Sequence, residues 1–556
     1  MHHVRFAVLR RAAAVCATLA YLATFRTATS ADAPAPSADA LATATPIKHL
    51  VVIYQENVSF DHYFATYPAA TNPPGEPVFH ASAGTPAVDT LAAAKLIATN
   101  PNTSDGNGGA AAGPFRLDRT QAATADQNHA YTAEEQAYDG GKADRFPRYT
   151  GNGTPGGVGA FGTAGQVMGY YDGNTVTALW RYAQHFAMSD NAYGDTYGPS
   201  TPGALEVVSG QTNGMLIGAT TKQPSTLTDV SYYVNDGQGG YTMINDVDPT
   251  FDVCSKQSDI AMMSGKNVGD LLTAAGVSWG GFMGGFDLSV TNANGSTDCK
   301  RSTHSAVVGA DITDYIAHHN WFAYYLSTSN PGHARPSSIA AIGSTLEADG
   351  KTVDPANHEY DLNDFYAAVK AGNFPAVSYL KMPAYQDGHA GYSDPLDEQS
   401  GVVNAVNFIE AQPDWKSTAI IVLYDDSDGW YDHAAAKPTS ASYDAQADQL
   451  DGTGVCGSGT APIGVSGKPV NGRCGPGTRI PFIVISPYAK ANAVVHGRIS
   501  QASVPKFIED NWLHGERLGG GSFDATAGSI VPLFDFTAAV RTAPLFLDPA
   551  TGDPRP

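Results

Sequence analysis

Two segments far apart in the chain end in the same way. Lys48-His49-Leu50-Val51-Val52-Ile53-Tyr54-Gln55-Glu56-Asn57 and Ala419-Ile420-Ile421-Val422-Leu423-Tyr424-Asp425-Asp426 each hold an apolar run of strand length that stops at two oxygen-bearing side chains. Near-continuous β-branched runs are what a strand buried on both faces requires. Open α/β sheets hold their ligands in the crevice beyond the carboxyl ends of such strands. Two such strands in one sheet would bring Glu56, Asn57, Asp425 and Asp426 into a single crevice. Neighbouring carboxylates at a buried strand end repel unless a cation or hydrogen-bond donors compensate. Four hard oxygen donors suit one divalent or trivalent metal ion without identifying it, and calcium, magnesium, manganese, iron and zinc all fit. The residues alone also allow a blander arrangement, in which Asn57, Ser59 or Asp61 caps a helix and an aspartate opens a turn.

A metal ion of this kind activates a nucleophile and holds a substrate oxygen. The best hydroxyl candidates lie in Gly194-Asp195-Thr196-Tyr197-Gly198-Pro199-Ser200-Thr201-Pro202-Gly203, just before helical patterning resumes at Ala204. Ser200 and Thr201 are adjacent, so spacing does not choose between them. A hydroxyl at a loop-to-helix junction can use the helix end to hold an anion. Proton donors would come from histidines, with His129, His318, His319, His333, His389, His433 and His496 in the body of the chain. There is no G-x-G-x-x-G after a strand, no Walker A pattern and no G-x-S-x-G elbow.

The elements that must position these residues alternate. Strands are expected near 48–55, 277–283, 376–380, 419–424 and 480–485. Helices are expected near 132–138, 176–186, 266–275, 361–370, 401–411 and 502–513. Alternation of this kind predicts an α/β fold with a central, mostly parallel sheet and helices on both faces. Segment 69–125 and the Gly-rich stretches 283–297 and 449–477 read as long loop insertions.

The 556 residues carry 54 acidic against 32 basic side chains, a formal charge of -22, which argues against nucleic-acid or anionic-membrane binding. Arg5, Arg10 and Arg11, then an apolar run over 12–22 and small residues near 28–33, have the order of a signal peptide, so 1–32 should be removed. The mature protein should then be periplasmic or secreted, with no stable membrane insertion. Cys254, Cys299, Cys456 and Cys474 remain, and proximity favours Cys254 with Cys299 and Cys456 with Cys474 in an oxidising compartment. The expected layout is a disordered lead-in over 33–46, one catalytic domain over 47–545 and a Pro-rich tail over 546–556.

Three blocks carry a family resemblance: Glu56-Asn57-Val58-Ser59-Phe60-Asp61-His62-Tyr63-Phe64, Tyr197-Gly198-Pro199-Ser200-Thr201-Pro202-Gly203, and Tyr424-Asp425-Asp426-Ser427-Asp428-Gly429-Trp430-Tyr431-Asp432-His433. Asp126-Gln127-Asn128-His129 and Asp387-Gly388-His389 lie between them. With these motifs the chain resembles the bacterial phosphoesterase family of AcpA-type acid phosphatases and phospholipases C, over about 47–515. The resemblance implies an alkaline-phosphatase-like α/β fold. It implies metal ligation by Glu56, Asn57, Asp425 and Asp426, with Ser200 as both ligand and nucleophile. His129 and His389 match phosphate-contacting positions, and a third such histidine falls among His318, His319 and His333. Gly-Pro-Ser-Thr-Pro-Gly at 198–203 resembles the phosphatase branch, and the length beyond about 515 leaves no room for the extra C-terminal domains of phospholipase relatives. The expectation is a secreted acid phosphatase acting on small phosphate monoesters through a phosphoserine. The alternatives are a phospholipase C and a noncatalytic surface-binding protein.

Overall fold

The computed structural model describes residues 37–217, 231–538 and 541–555, and the expected signal segment 1–32 lies outside them. Its centre is an eight-stranded sheet. The strands are β1 (His49–Gln55), β2 (Ala187–Ser189), β3 (Trp279–Met283), β4 (Glu359–Asp361), β5 (Val377–Lys381), β6 (Thr418–Tyr424), β7 (Phe482–Ile485) and β8 (Ala493–Val495). They lie in the order β4-β3-β5-β1-β6-β7-β2-β8, and β7 alone runs against the others. This is the α/β architecture, of alkaline-phosphatase-like type, that the alternation predicts.

Every residue of β1 and β6 is buried, which is why both read as unbroken apolar runs. Each fully buried Val, Leu or Ile there contributes about 1.5–3 kcal/mol. The expected strands are all present, within a few residues of their predicted bounds. The ones the sequence hides are the short β2, β4 and β8, whose three residues each are too few for a pattern.

Helices α1 (Phe60–Phe64), α2 (Tyr131–Tyr138), α3 (Thr177–His185), α4 (Ser200–Ser209), α5 (Val268–Ala274), α6 (Leu362–Lys370), α7 (Pro395–Glu410) and α8 (Ser503–Trp512) surround the sheet. α3 packs on α7, while α4, α5 and α8 pack together. α7 starts earlier than the expected 401 because Asp394 caps it, accepting from Leu396 N and Asp397 N, and Pro395 suits the first turn. A second, five-stranded sheet is inserted between α4 and α5, drawn from Asn213–Ile217 through Ile260–Met263. Both expected disulfides, Cys254–Cys299 and Cys456–Cys474, are formed.

The described part of the lead-in departs from the expectation of disorder. Over 37–46 the chain lies against the end of α8, where Thr45 N and Oγ1 donate to Asn511 Oδ1 at 2.9 and 2.8 Å. The tail is docked as well, with Leu547 fully buried and its N–H donating to Asn407 Oδ1.

Because β7 is antiparallel, the segment leading into it lies at the carboxyl edge of the sheet. Arg479, three residues ahead of β7 and fully buried, donates to Asp432 from Nε at 3.1 and 3.2 Å and to Asp61 Oδ1 from Nη2 at 3.2 Å. His433 closes the group, its Nδ1 2.6 Å from Asp61 Oδ2. The group ties the turn after β1 to the loop after β6. Burial opposes the charge on His433, but Asp61 and then Asp89 hold its proton and raise its pKa to about 10. A raised folded-state value means the stabilisation is complete below about pH 6.5 and is lost as pH climbs through about 10. His433→Asn should therefore lower the thermal midpoint, with the gap to wild type widest near pH 6 and closed above about pH 10. A gap of equal size at both ends of that range would refute the assignment.

Candidate active site and metal centre

The register of the sheet assembles the site. Gln55 of β1 pairs with Tyr424 of β6, so the residues that follow each strand emerge side by side. Their backbones interlock: Asn57 N donates to Asp425 Oδ1 at 2.8 Å, Val58 N to Asp426 O at 2.9 Å, and Glu56 N to Asp387 O at 2.8 Å. Asn57 takes a left-handed backbone, φ 58°, which asparagine tolerates better than most side chains. α4 then delivers Ser200 as its first residue. A Cβ on Gly203 would stand 2.2 Å from Asp425 O, so a glycine is what lets this helix meet the end of β6. Thr201 is committed elsewhere, its N and Oγ1 both donating to Asp246 Oδ1 at 2.9 Å. Geometry thus separates the two hydroxyls that spacing left open.

Ser200 Oγ donates to Glu56 Oε2 at 2.9 Å and lies 3.4 Å from both Asn57 Oδ1 and Asp426 Oδ2. One end of the Asn57 amide lies 2.7 Å from Glu56 Oε2 and 3.1 and 3.2 Å from the Asp425 oxygens, and its other end lies 3.0 Å from His389 Nε2. With nitrogen inward, the amide donates to these carboxylates. With oxygen inward, it completes a ring of oxygens with Glu56, Asp425, Asp426 and Ser200 that only a cation stabilises. Burial, and after it the Asp425 charge, pushes the Asp426 carboxyl well above its usual range. The buried, all-oxygen donor set fits a hard metal ion.

The structure brings four of the five singled-out histidines to this crevice. His129 Nδ1 donates to Gln127 O at 2.8 Å and stands 3.2 Å from Asp428 Oδ1, with Nε2 3.4 Å from the Asn57 amide. Burial disfavours its charge, but Asp426 and Asp428 outweigh burial and hold it as imidazolium. His389 stacks on Tyr392 at 4.3 Å, and its Nδ1 donates to Ala390 O. Burial draws its pKa down to about 4, so it is neutral. His319 Nδ1 lies 3.4 Å from Glu56 Oε1, and burial keeps it neutral too. His318 packs edge-on against His319 and lies 3.3 Å from Asp248 Oδ1; burial opposes its charge, but Asp246 and Asp248 raise its pKa. Asp126, His129, His389 and Asp428 place four donor atoms within 4.8 Å of one another. Since Asp426 and Asp428 hold His129 protonated, this group suits a proton and anion holder better than a metal cage.

His333 does not join them, which corrects the expectation of a substrate contact. Nδ1 is bonded to Phe286 O at 2.9 Å and Nε2 to Asp252 Oδ1 at 3.0 Å, with the ring stacked on Phe286. Neither nitrogen is left for a phosphoryl oxygen. Lys381 is the residue that sequence reasoning missed. Its buried amino group bonds Glu56 Oε1, and burial lowers its pKa while Asp425 and Asp387 oppose that. The signal was present, since Val377-Ser378-Tyr379-Leu380-Lys381 is a third strand ending in a charged side chain.

Residues 47–513 match the model of the Phosphoesterase family, and the chain belongs to it. The chain is similar to phospholipase C B of Mycobacterium tuberculosis, 23% identical over 510 residues that cover 89% of this chain and 78% of that protein. Phospholipase C A of the same organism is 24% identical over 476 residues, covering 84% of this chain and 72% of that protein. The non-hemolytic phospholipase C of Burkholderia pseudomallei is 22% identical over 484 residues, which are 84% of this chain and 55% of the relative.

Two substitutions separate the ligand set from its scaffold. Asp425→Asn should lower bound metal and turnover together, read by plasma mass spectrometry and a phosphoester assay on one sample; unchanged metal content would count against ligation. Gly203→Ala should drive α4 away from Asp425 O and cost turnover about tenfold or more. Wild-type turnover in that variant would mean the helix approach is not required.

Proposed function

We propose that the protein is an exported, metal-dependent phosphodiesterase of phospholipase C type that uses Ser200 as its nucleophile. The observation that carries the reading is the convergence of Glu56, Asn57 and Asp426 oxygens on Ser200 Oγ within 3.4 Å. A divalent or trivalent ion held by Glu56, Asn57, Asp425, Asp426 and Ser200 would supply Lewis-acid stabilisation and ease loss of the serine proton. Glu56 Oε2 is the nearest proton acceptor to the hydroxyl. Ser200 Oγ attacks phosphorus, the bond to the leaving alcohol breaks, and the phosphoryl group rests on serine until water displaces it. His129, held as imidazolium beside Asn57, donates to a phosphoryl oxygen; His389, whose Nδ1–H goes to Ala390 O, contacts one only when Nε2 takes up a proton with the substrate. His318, kept cationic by Asp246 and Asp248, gives a proton to the leaving oxygen. His319, beside Glu56, positions that carboxylate.

Charge favours the diester over the monoester that the sequence suggested. Asp126, Asp246 and Asp248 stand against His129, Thr201 and His318 beside the centre. A monoester near neutral pH bears close to two negative charges and a diester only one, so these carboxylates oppose the monoester more. The matched relatives named phospholipase C support the same choice. The monoesterase reading keeps one observation of its own, the Gly-Pro-Ser-Thr-Pro-Gly run at 198–203. Export is supported by the two disulfides, and no helix among the described residues is long and apolar enough to cross a membrane.

The purified, oxidised protein should cleave p-nitrophenyl phosphorylcholine and phospholipid vesicles faster than p-nitrophenyl phosphate. Chelation should abolish turnover and re-addition of a divalent ion restore it. Ser200→Ala should lower kcat by about 10³-fold or more while the fold and metal content persist. Faster monoester hydrolysis would return the protein to the phosphatase reading, and normal turnover by Ser200→Ala would remove the nucleophile.

A further inference from the structure

Glu56 faces two different surroundings with its two oxygens. Oε2 points to Ser200 and the oxygen ring described above. Oε1 meets the Lys381 amino group and lies 3.4 Å from His319 Nδ1, which is itself 3.8 Å from Asp387 Oδ2. A carboxylate shared in this way, with a histidine and a second carboxylate behind it, is the donor pattern that bridges two ions in two-metal phosphoester hydrolases. Here the second position already holds a side chain. Lys381 is the last residue of β5, next to β1 in the sheet, and its neighbour Leu380 pairs with Ile53. The strand therefore fixes where the amino group goes, with Nζ 5.4 Å from the centre of the Tyr54 ring. Lys381 is 2% exposed, so its amino group is shielded from bulk solvent.

We propose that the centre contains a second cation position at Glu56 Oε1, with His319 beside it and Asp387 behind His319, and that Lys381 occupies it permanently in place of a metal ion. The inference rests on the reading of Glu56 as a ligand of the first ion. Lys381 is a positioning residue: a compact ammonium with three donors pins Glu56 so that its other oxygen faces Ser200. It also limits the chain to one bound ion, and it completes the site without recruiting a second from solution.

The test uses the mature, disulfide-bonded chain with Lys381→Met, which keeps bulk and removes the charge, and Lys381→Ala, which vacates the position. Each is equilibrated with zinc or manganese, freed of loose ion by gel filtration, and its metal counted by plasma mass spectrometry beside a thermal midpoint. Wild type should hold one ion per chain and Lys381→Ala two. Lys381→Met should stay folded with no second ion and lose turnover by about 10²-fold. Ethylammonium should restore part of the lost turnover in Lys381→Ala and none in Lys381→Met. Wild-type turnover by Lys381→Met, or a Lys381→Ala protein that stays at one ion and ignores ethylammonium, would overturn the proposal. Those failures leave Ser200 chemistry intact, whereas a wild-type protein with no bound ion and no phosphoester turnover would remove the function reading itself.

Discussion

Carboxylates concentrated at one end of a buried sheet repel one another, and the surrounding architecture is arranged around that repulsion. Glu56, Asp425, Asp426 and Asp428 are each at most 3% exposed. Two like charges 4 Å apart repel by about 4 kcal/mol under partial screening, so the group cannot stay ionised without cations. Fully ionised, these four outnumber the nearby cations Lys381, His129 and His318, a deficit that a bound metal ion would close. The neighbouring acids Asp61 and Asp432 are handled differently, since Arg479 and His433 neutralise them from within the chain. One acidic group is thus balanced within the folded protein, and the other keeps a deficit that suits a bound cation. Partnering by protein cations marks the scaffold, and the deficit marks the site.

Placement follows from the sheet before any side-chain chemistry enters. Parallel pairing of β1 with β6 sends both chains out at the same edge, and the Gln55–Tyr424 register sets Glu56 beside Asp425. A slip of one residue would turn Glu56 to the other face of the sheet. The remaining tolerance is taken up by a left-handed Asn57 and by the missing Cβ of Gly203. Each is a local concession that lets two oxygen donors approach where ordinary residues would hold them apart.

The parts of this arrangement legible in the sequence are those where burial on both sides leaves a long apolar run. β1 and β6 were visible for that reason, and their ends pointed to the crevice. Ser200 could not be told from Thr201 by spacing, because the distinction lies in Asp246, which arrives from an inserted sheet of very short strands. His333 resembled its neighbours in sequence, but Asp252 and Phe286 claim its ring. A lone histidine carries no sequence mark of whether its nitrogens are already spent. Lys381 went unread because a single charge after a strand is common on surfaces, and only the pairing of β5 with β1 shows that this one is buried. The lead-in over 37–46 has a composition that favours disorder, yet Ala44 and Thr45 bond to Asn511 of α8 and Ala38 is buried in the core.

Substrate charge connects these observations. A centre with one divalent ion and one fixed ammonium presents less positive charge than a centre with two divalent ions, and its position is not adjustable by metal supply. Such a centre is matched to a phosphoryl group that carries one negative charge rather than two. Asp126, Asp246 and Asp248 add carboxylates near the centre, and the whole chain carries -22, so long-range attraction does not recruit a dianion. A singly charged diester would lose least beside these carboxylates and would accept from the cationic His129. The same lysine that balances Glu56 would then also tune the site toward diesters, so the cation count and the substrate class become one property of the fold.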